Sequence, residues 1–152
     1  MLLLNIPPDK RGHLYEKDVA NLKAFRSILT ETFQNNLAKN IAAKLLTDNQ
    51  LATSRPLSIN AVLEINFGKN TTFNRFLIQE NIAKGQAIEQ GKITIWNGKT
   101  WATIADFTTV GYKRLLRFET VTCSKMRLII VKAKTAKVHI SELGVYKASP
   151  SE

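Results

Sequence analysis

The chain has 152 residues, enough for one core of ordinary size or for one domain plus an arm. An apolar fraction of 44% excludes wholesale disorder, and no apolar run approaches the roughly 20 residues of a membrane span. A single cysteine, Cys123, excludes an internal disulfide and a cysteine-rich zinc module.

The formal charge of +10 is spread along the chain. Only the stretch from Tyr112-Lys113-Arg114 to Arg117, and Lys132 to Lys137, come near a basic patch. Scattered bases read as a soluble basic surface, with binding of acidic polymers as a distant alternative. Nucleic acid and membrane are not expected partners. No signal peptide is legible, because no basic residues precede the first apolar run and no small-residue cleavage site follows it. The compartment is therefore not encoded in these residues.

The run Leu2-Leu3-Leu4-Asn5-Ile6, stopped by Pro7-Pro8, reads as a strand buried on both faces. Residues 16 to 37 read as one amphipathic helix. Val19, Leu22, Phe25, Leu29, Phe33 and Leu37 fall on one stripe, and Glu16 and Asp18 occupy the first turn. Such a stripe calls for a cover, either the domain that follows or a second copy of the chain in a homodimer.

After residue 57 the period changes to two. Leu63, Ile65 and Phe67 alternate with Glu64 and Asn66, as in a half-buried strand. "TFNRFLIQE" follows as a second strand. "KITIWNGKTWATIA" reads as a hairpin closed by a type I′ turn at Asn97-Gly98. "YKRLLRF", "MRLIIVKA" and "HISELGVYK" supply three more strands. The expected fold is mainly β, an antiparallel β-sandwich preceded by one amphipathic helix. The domain expectation is a first segment at 1–40, a sandwich at 41–148 and a tail at 149–152. The joint falls near Ala38-Lys39-Asn40.

Groups that catalyse must stand within hydrogen-bond reach of one another. His13 with Glu16 makes a weak metal-like spacing, and Cys123 with His139 lacks an acid to orient the histidine. "FGKNTT" lacks phosphate-loop spacing, and Asp48-Asn49 is a turn with too few oxygens for calcium. No catalytic residue, metal ligand or cofactor is assigned. Trp96 and Trp101 flank the Asn-Gly turn and read as a cross-strand pair with one ring in the core.

"LLLNIPPDKRG" followed by "EKDVANLKAFRSILTETFQNNLAKN" resembles the segment that closes the catalytic barrel of bacterial α-L-fucosidases, which are glycoside hydrolases. "TTFNRFLIQENIAKGQAI", "WNGKTWATIA", "TTVGYKRLLRF" and "ISELGVYK" resemble the C-terminal domain of the same enzymes. That domain belongs to the discoidin, or coagulation factor 5/8 type C, class of galactose-binding-like jelly rolls. The resemblance implies that residues 2 to 6 are the last barrel strand and that the helix is its closing helix. It implies a retaining parent enzyme whose two carboxylates lie upstream of this segment, so that the chain alone is not an enzyme. It also implies a periplasmic or secreted bacterial origin.

The implied function is an accessory module that docks on the catalytic barrel of the same polypeptide. A carbohydrate-binding module that targets glycans is the alternative. By resemblance the loops at the sandwich mouth are about 47 to 56 and 80 to 86. They offer Asp48, Asn49, Arg55, Glu80, Asn81, Lys84 and Gln86 as candidate ligand-binding residues, with no aromatic side chain among them. The first of these loops, "LLTDNQLATSRPLSIN", is shorter than its discoidin counterpart and lacks the usual tryptophan.

Overall fold

A computed structural model describes residues 5–149. The expected strand at 2 to 6 lies mostly outside the described residues, and Asn5 and Ile6 are not in a strand. The chain forms two compact units, Met1–Asn35 and Asn36–Glu152.

The first unit opens on a turn held by Asp9. Its Oδ1 accepts the amides of Arg11 (2.8 Å) and His13 (3.0 Å), and its Oδ2 pairs with the Arg11 guanidinium. The helix α1 spans Glu16–Phe33, with Glu16 and Asp18 at its positive end. None of its residues is buried, and Phe25 and Leu29 of the apolar stripe remain 39% and 38% exposed. The helix stops short of the expected residue 37. Asn36 and Leu37 bond instead to a strand of the second unit.

The second unit is one antiparallel sheet of six strands: β1 (Arg55–Ser58), β2 (Val62–Glu80), β3 (Ile88–Trp96), β4 (Trp101–Phe107), β5 (Arg114–Ala133) and β6 (Lys137–Tyr146). Their order in the sheet is β1-β6-β2-β5-β3-β4. This is the mainly β, antiparallel class that the alternating pattern led one to expect.

Two pairs of expected strands merge. "VLEINFG" and "TFNRFLIQE" are halves of β2, and "YKRLLRF" and "MRLIIVKA" are halves of β5. β2 and β5 stay paired from Val62–Ile129 to Ile78–Arg114, with register breaks between Asn66 and Thr71 and between Phe73 and Arg75. Gly68 sits in the first break with φ 71°, so the strand bends there without ending. One half of this long pair continues into β6 and the other into β3.

Inward residues alternate with outward ones. Ile65, Phe73, Phe76, Ile78, Met126 and Leu128 are almost wholly excluded from water. Each such side chain contributes roughly 1.5–3 kcal/mol on burial. Phe73 meets Phe67 at 5.6 Å and, edge-on, Phe118 at 5.9 Å, ring centre to ring centre.

β1 covers only the first part of β6, from Lys137 to Ile140. The rest of that edge is closed by Asn36. Its Nδ2 donates to the Leu143 carbonyl (3.1 Å), and its Oδ1 accepts from the amides of Val145 and Ala38 (3.0 Å each). An unpaired strand edge is thereby satisfied by the Asn36 side chain together with the Leu37 amide, which donates to the Val145 carbonyl (2.8 Å). The units divide between Asn35 and Asn36, a few residues before the expected joint.

The hairpin of β3 and β4 is present, with a different turn. Trp96 pairs with Trp101, so Asn97 to Thr100 form the loop. Asn97 Oδ1 accepts the amides of Lys99 and Thr100, and only Gly98 takes a positive φ, 96°. The asparagine side chain shapes this turn, where a left-handed Asn-Gly pair was expected.

Candidate loop site at one end of the sheet

Three loops meet through two buried residues at the end of β2. Glu80 is 2% exposed. Its Oε1 accepts the amides of Ala87 (2.8 Å) and Ile88 (2.9 Å), and its Oε2 accepts that of Gly111 (2.8 Å). Asn81 is 4% exposed. Its Nδ2 reaches the Ala52 carbonyl (3.1 Å) and its amide donates to the His139 carbonyl (2.8 Å). Both candidate side chains are thus committed to backbone. They hold loops 47–54, 81–87 and 108–113 together.

The other candidates stand around them. Lys84 Nζ donates to Ser54 Oγ at 3.3 Å. Arg55 is exposed at the start of the edge strand β1, a strand that the loop reading did not anticipate. Gln86 lies beside Gly111, whose φ of 65° makes the sharp turn of the third loop.

Asp48 and Asn49 do form a turn, with Asn49 at φ 59°. Asp48 Oδ1 accepts the Gln50 amide (2.9 Å), and both of its oxygens contact Thr53 Oγ1. The same Gln50 amide also reaches Glu142 Oε1 at 3.1 Å. Burial pushes the Glu142 carboxyl up to about 7, helped by the hydrogen bond and the negative charge of Asp48. The Gln50 amide is the main cause that holds Asp48 below the usual carboxylate range. Glu142, on β6, was not singled out from sequence, because nothing local brings it to Asp48.

Between these loops lies a cleft of about 210 Å³, lined by Leu51, Ala52, Asn81, Ile82, Ala83 and Tyr112. Tyr112 is 59% exposed. The two loops expected at the sandwich mouth carry no aromatic side chain, and Tyr112 comes from the third loop, far along the chain. Gly111 bonded to Glu80 and the Tyr112 carbonyl bonded to Gln79 Nε2 (2.9 Å) bring it in. The available signal was "VGYKR", a glycine turn placing a tyrosine at a strand start.

The tryptophan pair lies away from this end. Trp96 and Trp101 are both half-buried, with ring centres 5.5 Å apart, and neither joins the core. The expectation of one ring in the core is corrected. Residue parity places both on the outer face with Arg127 and Glu64. The Arg127 guanidinium lies 3.6 Å from the Trp101 ring centre and pairs with Glu64 at 2.8 Å. Cys123 is buried on β5, where burial pushes its thiol up, and it pairs in register with Thr71. His139 pairs with Pro56 on β1. β2 separates the strands of Cys123 and His139.

No family model matches the chain. The α-L-fucosidase 1 of Arabidopsis thaliana is 31% identical over 169 residues, an alignment that covers 96% of this chain and 33% of that protein. Sequence relatives of this chain, and several solved structures similar to it, are α-L-fucosidases. A Ruminococcus gnavus glycoside hydrolase family 29 fucosidase, solved in complex with fucose, is 28% identical with a TM-score of 0.84. The match covers 97% of this chain and 33% of that one. A glycoside hydrolase 29 family member from an unknown rumen bacterium is 31% identical with a TM-score of 0.81, over 99% of this chain and 26% of its own. The chain spans about a third of the length of the curated relatives it matches.

Proposed function

We infer that this chain is the accessory, non-catalytic part of a larger α-L-fucosidase polypeptide, where it docks on the catalytic barrel and steadies it. The carrying observation is the asymmetry of the match. Nearly all of this chain aligns with fucosidases, yet it accounts for only 33% of the plant enzyme. The resemblance of the segments to the end of a fucosidase barrel and to a discoidin-like domain supports a position at the C-terminal end.

Two further observations support this reading. Helix α1 carries an apolar stripe and no buried residue, the kind of face that the closing helix of a barrel would lay against its neighbours. A retaining glycosidase needs two carboxyl groups about 5 Å apart, facing the sugar. Here Glu80 commits both oxygens to backbone amides, while Asp48 and Glu142 bond to each other.

Assay of the purified chain on an aryl α-L-fucoside tests the non-catalytic part. The expected result is no turnover. Turnover abolished by Glu80→Gln or Asp48→Asn contradicts it.

A second reading, a carbohydrate-binding module, is favoured by one feature. Tyr112 places an exposed ring beside a cleft whose rim includes the candidate loop residues. In that reading Lys84 and Arg55 supply donors to hydroxyl groups above the tyrosine face.

A further inference from the structure

A second cleft, of about 370 Å³, opens where β3, the end of β4 and β5 come together. It does not share lining residues with the cleft at Tyr112. Its volume falls within the range of small-ligand sites, about 300–1,000 Å³. The floor is apolar: Phe107 lies against it over Gly91, and Val131 is 40% exposed. The rim carries Gln90, Asp106, Thr108 and Arg114.

The rim residues share one property. Arg114 is half-buried and the other three are exposed. None of their side chains has a hydrogen-bond or ion-pair partner among the described residues. A carboxylate and a guanidinium therefore face one cleft without pairing to each other. The carboxylate only accepts, the guanidinium only donates, and the amide and hydroxyl do both.

This combination selects a ligand by chemistry. An anion drawn to Arg114 meets the charge of Asp106, and a cation meets the reverse. A purely apolar molecule offers these four polar groups no partner in exchange for the water it displaces. A neutral polyol suits all of them. Each hydroxyl donates to Asp106 or accepts from Arg114, and the carbon-bound hydrogens of the ring cover Val131, the exposed apolar side chain of the cleft.

We propose that the cleft of Gln90, Asp106, Thr108 and Arg114 is a binding site for a neutral saccharide. Asp106 and Arg114 take adjacent hydroxyl groups, and Gln90 and Thr108 complete the rim. The site is distinct from the loop cleft at Tyr112.

Titration of the intact 152-residue chain with L-fucose and D-galactose, followed by amide chemical shifts, tests this. D-glucuronate and inorganic phosphate serve as charged comparisons. The expected result is a dissociation constant on the order of 1 mM for a neutral sugar, with shifts centred on Gln90, Thr108 and Val131. Asp106→Asn and Arg114→Gln are each expected to weaken binding about tenfold, the loss of one charge-assisted hydrogen bond. Lys99→Ala, in the exposed loop between β3 and β4, leaves it unchanged. Three outcomes overturn the proposal: no shift at these residues with either neutral sugar, tighter binding of glucuronate or phosphate, or shifts centred on Tyr112 and Lys84. Should a variant fail to fold, the shift map of the unaltered chain decides alone.

Discussion

Phe107 lies across Gly91, its cross-strand partner, with Cε2 2.7 Å from the point where a β-carbon on Gly91 would stand. The ring is 4% exposed and forms part of the core cluster. A glycine weakens a strand, and an aromatic ring laid over it restores cross-strand contact. The backbone at Gly91 is not in the left-handed region, so the demand for glycine there is purely steric.

Gly91→Ala is therefore expected to destabilise the fold by about 1–3 kcal/mol, the range for overpacking a core. Urea unfolding measures it. Combining it with Phe107→Leu is expected to recover part of the loss, because the two sites share one space. An unchanged midpoint for Gly91→Ala contradicts the contact.

Glu80 is a clamp for three loops, so Glu80→Gln is expected to unfold more easily. A glutamine has one acceptor oxygen and presents donors where a carboxylate oxygen accepted an amide. At least one buried amide then lacks a partner, a loss of about 2 kcal/mol. Amide exchange is expected to accelerate at Ala87 or Gly111. A change below about 0.5 kcal/mol, the range for ordinary surface substitutions, counts against the clamp.

Glu142 gives the fold a pH dependence. Burial first, then Asp48, raises its carboxyl to about 7 from an ordinary value of 4.5. Between those values the folded chain holds a proton that the unfolded chain has released. Stability from this group is complete below 4.5 and falls as pH rises through 7. Compared with Glu142→Gln, the unaltered chain is expected to lose more stability between about pH 5 and about pH 8. Parallel urea profiles for the two proteins contradict the assignment.

The sheet was legible where the sequence is locally periodic. Leu63, Ile65 and Phe67 announce a half-buried strand, and "ITIWNGKTWATI" announces a hairpin, because neighbours in sequence are neighbours in space. The merging of strands was not legible. Bulges near Gly68 and Asn74 bend β2 without a breaker strong enough to separate it from a turn. β1 escaped notice because it is four residues long and contains Pro56, and only β6 gives it a partner. The helix was read too long because leucine at 37 continues the stripe, while Asn36 turns the chain into the edge of β6.

The candidate site was legible as loops and not as contacts. Glu80 and Asn81 attract attention as polar residues beside a loop, and tertiary packing turns both inward. Tyr112, Glu142 and the cleft that joins Gln90 and Asp106 to Val131 depend on residues far apart in sequence, which no local pattern reports. Tryptophans near a turn suggest a platform or a core, and Arg127 resolves them as a stacked outer-face cluster.

Whether this segment steadies a fucosidase barrel is measured on a pair of polypeptides. One is an intact fucosidase carrying the segment, and the other lacks it. Residual hydrolysis of an aryl α-L-fucoside is followed after heating at a series of temperatures. Earlier loss of activity is expected in the truncated protein, with KM for this small substrate unchanged before heating. Equal heat stability, with loss only of binding to a fucosylated glycan, would contradict it.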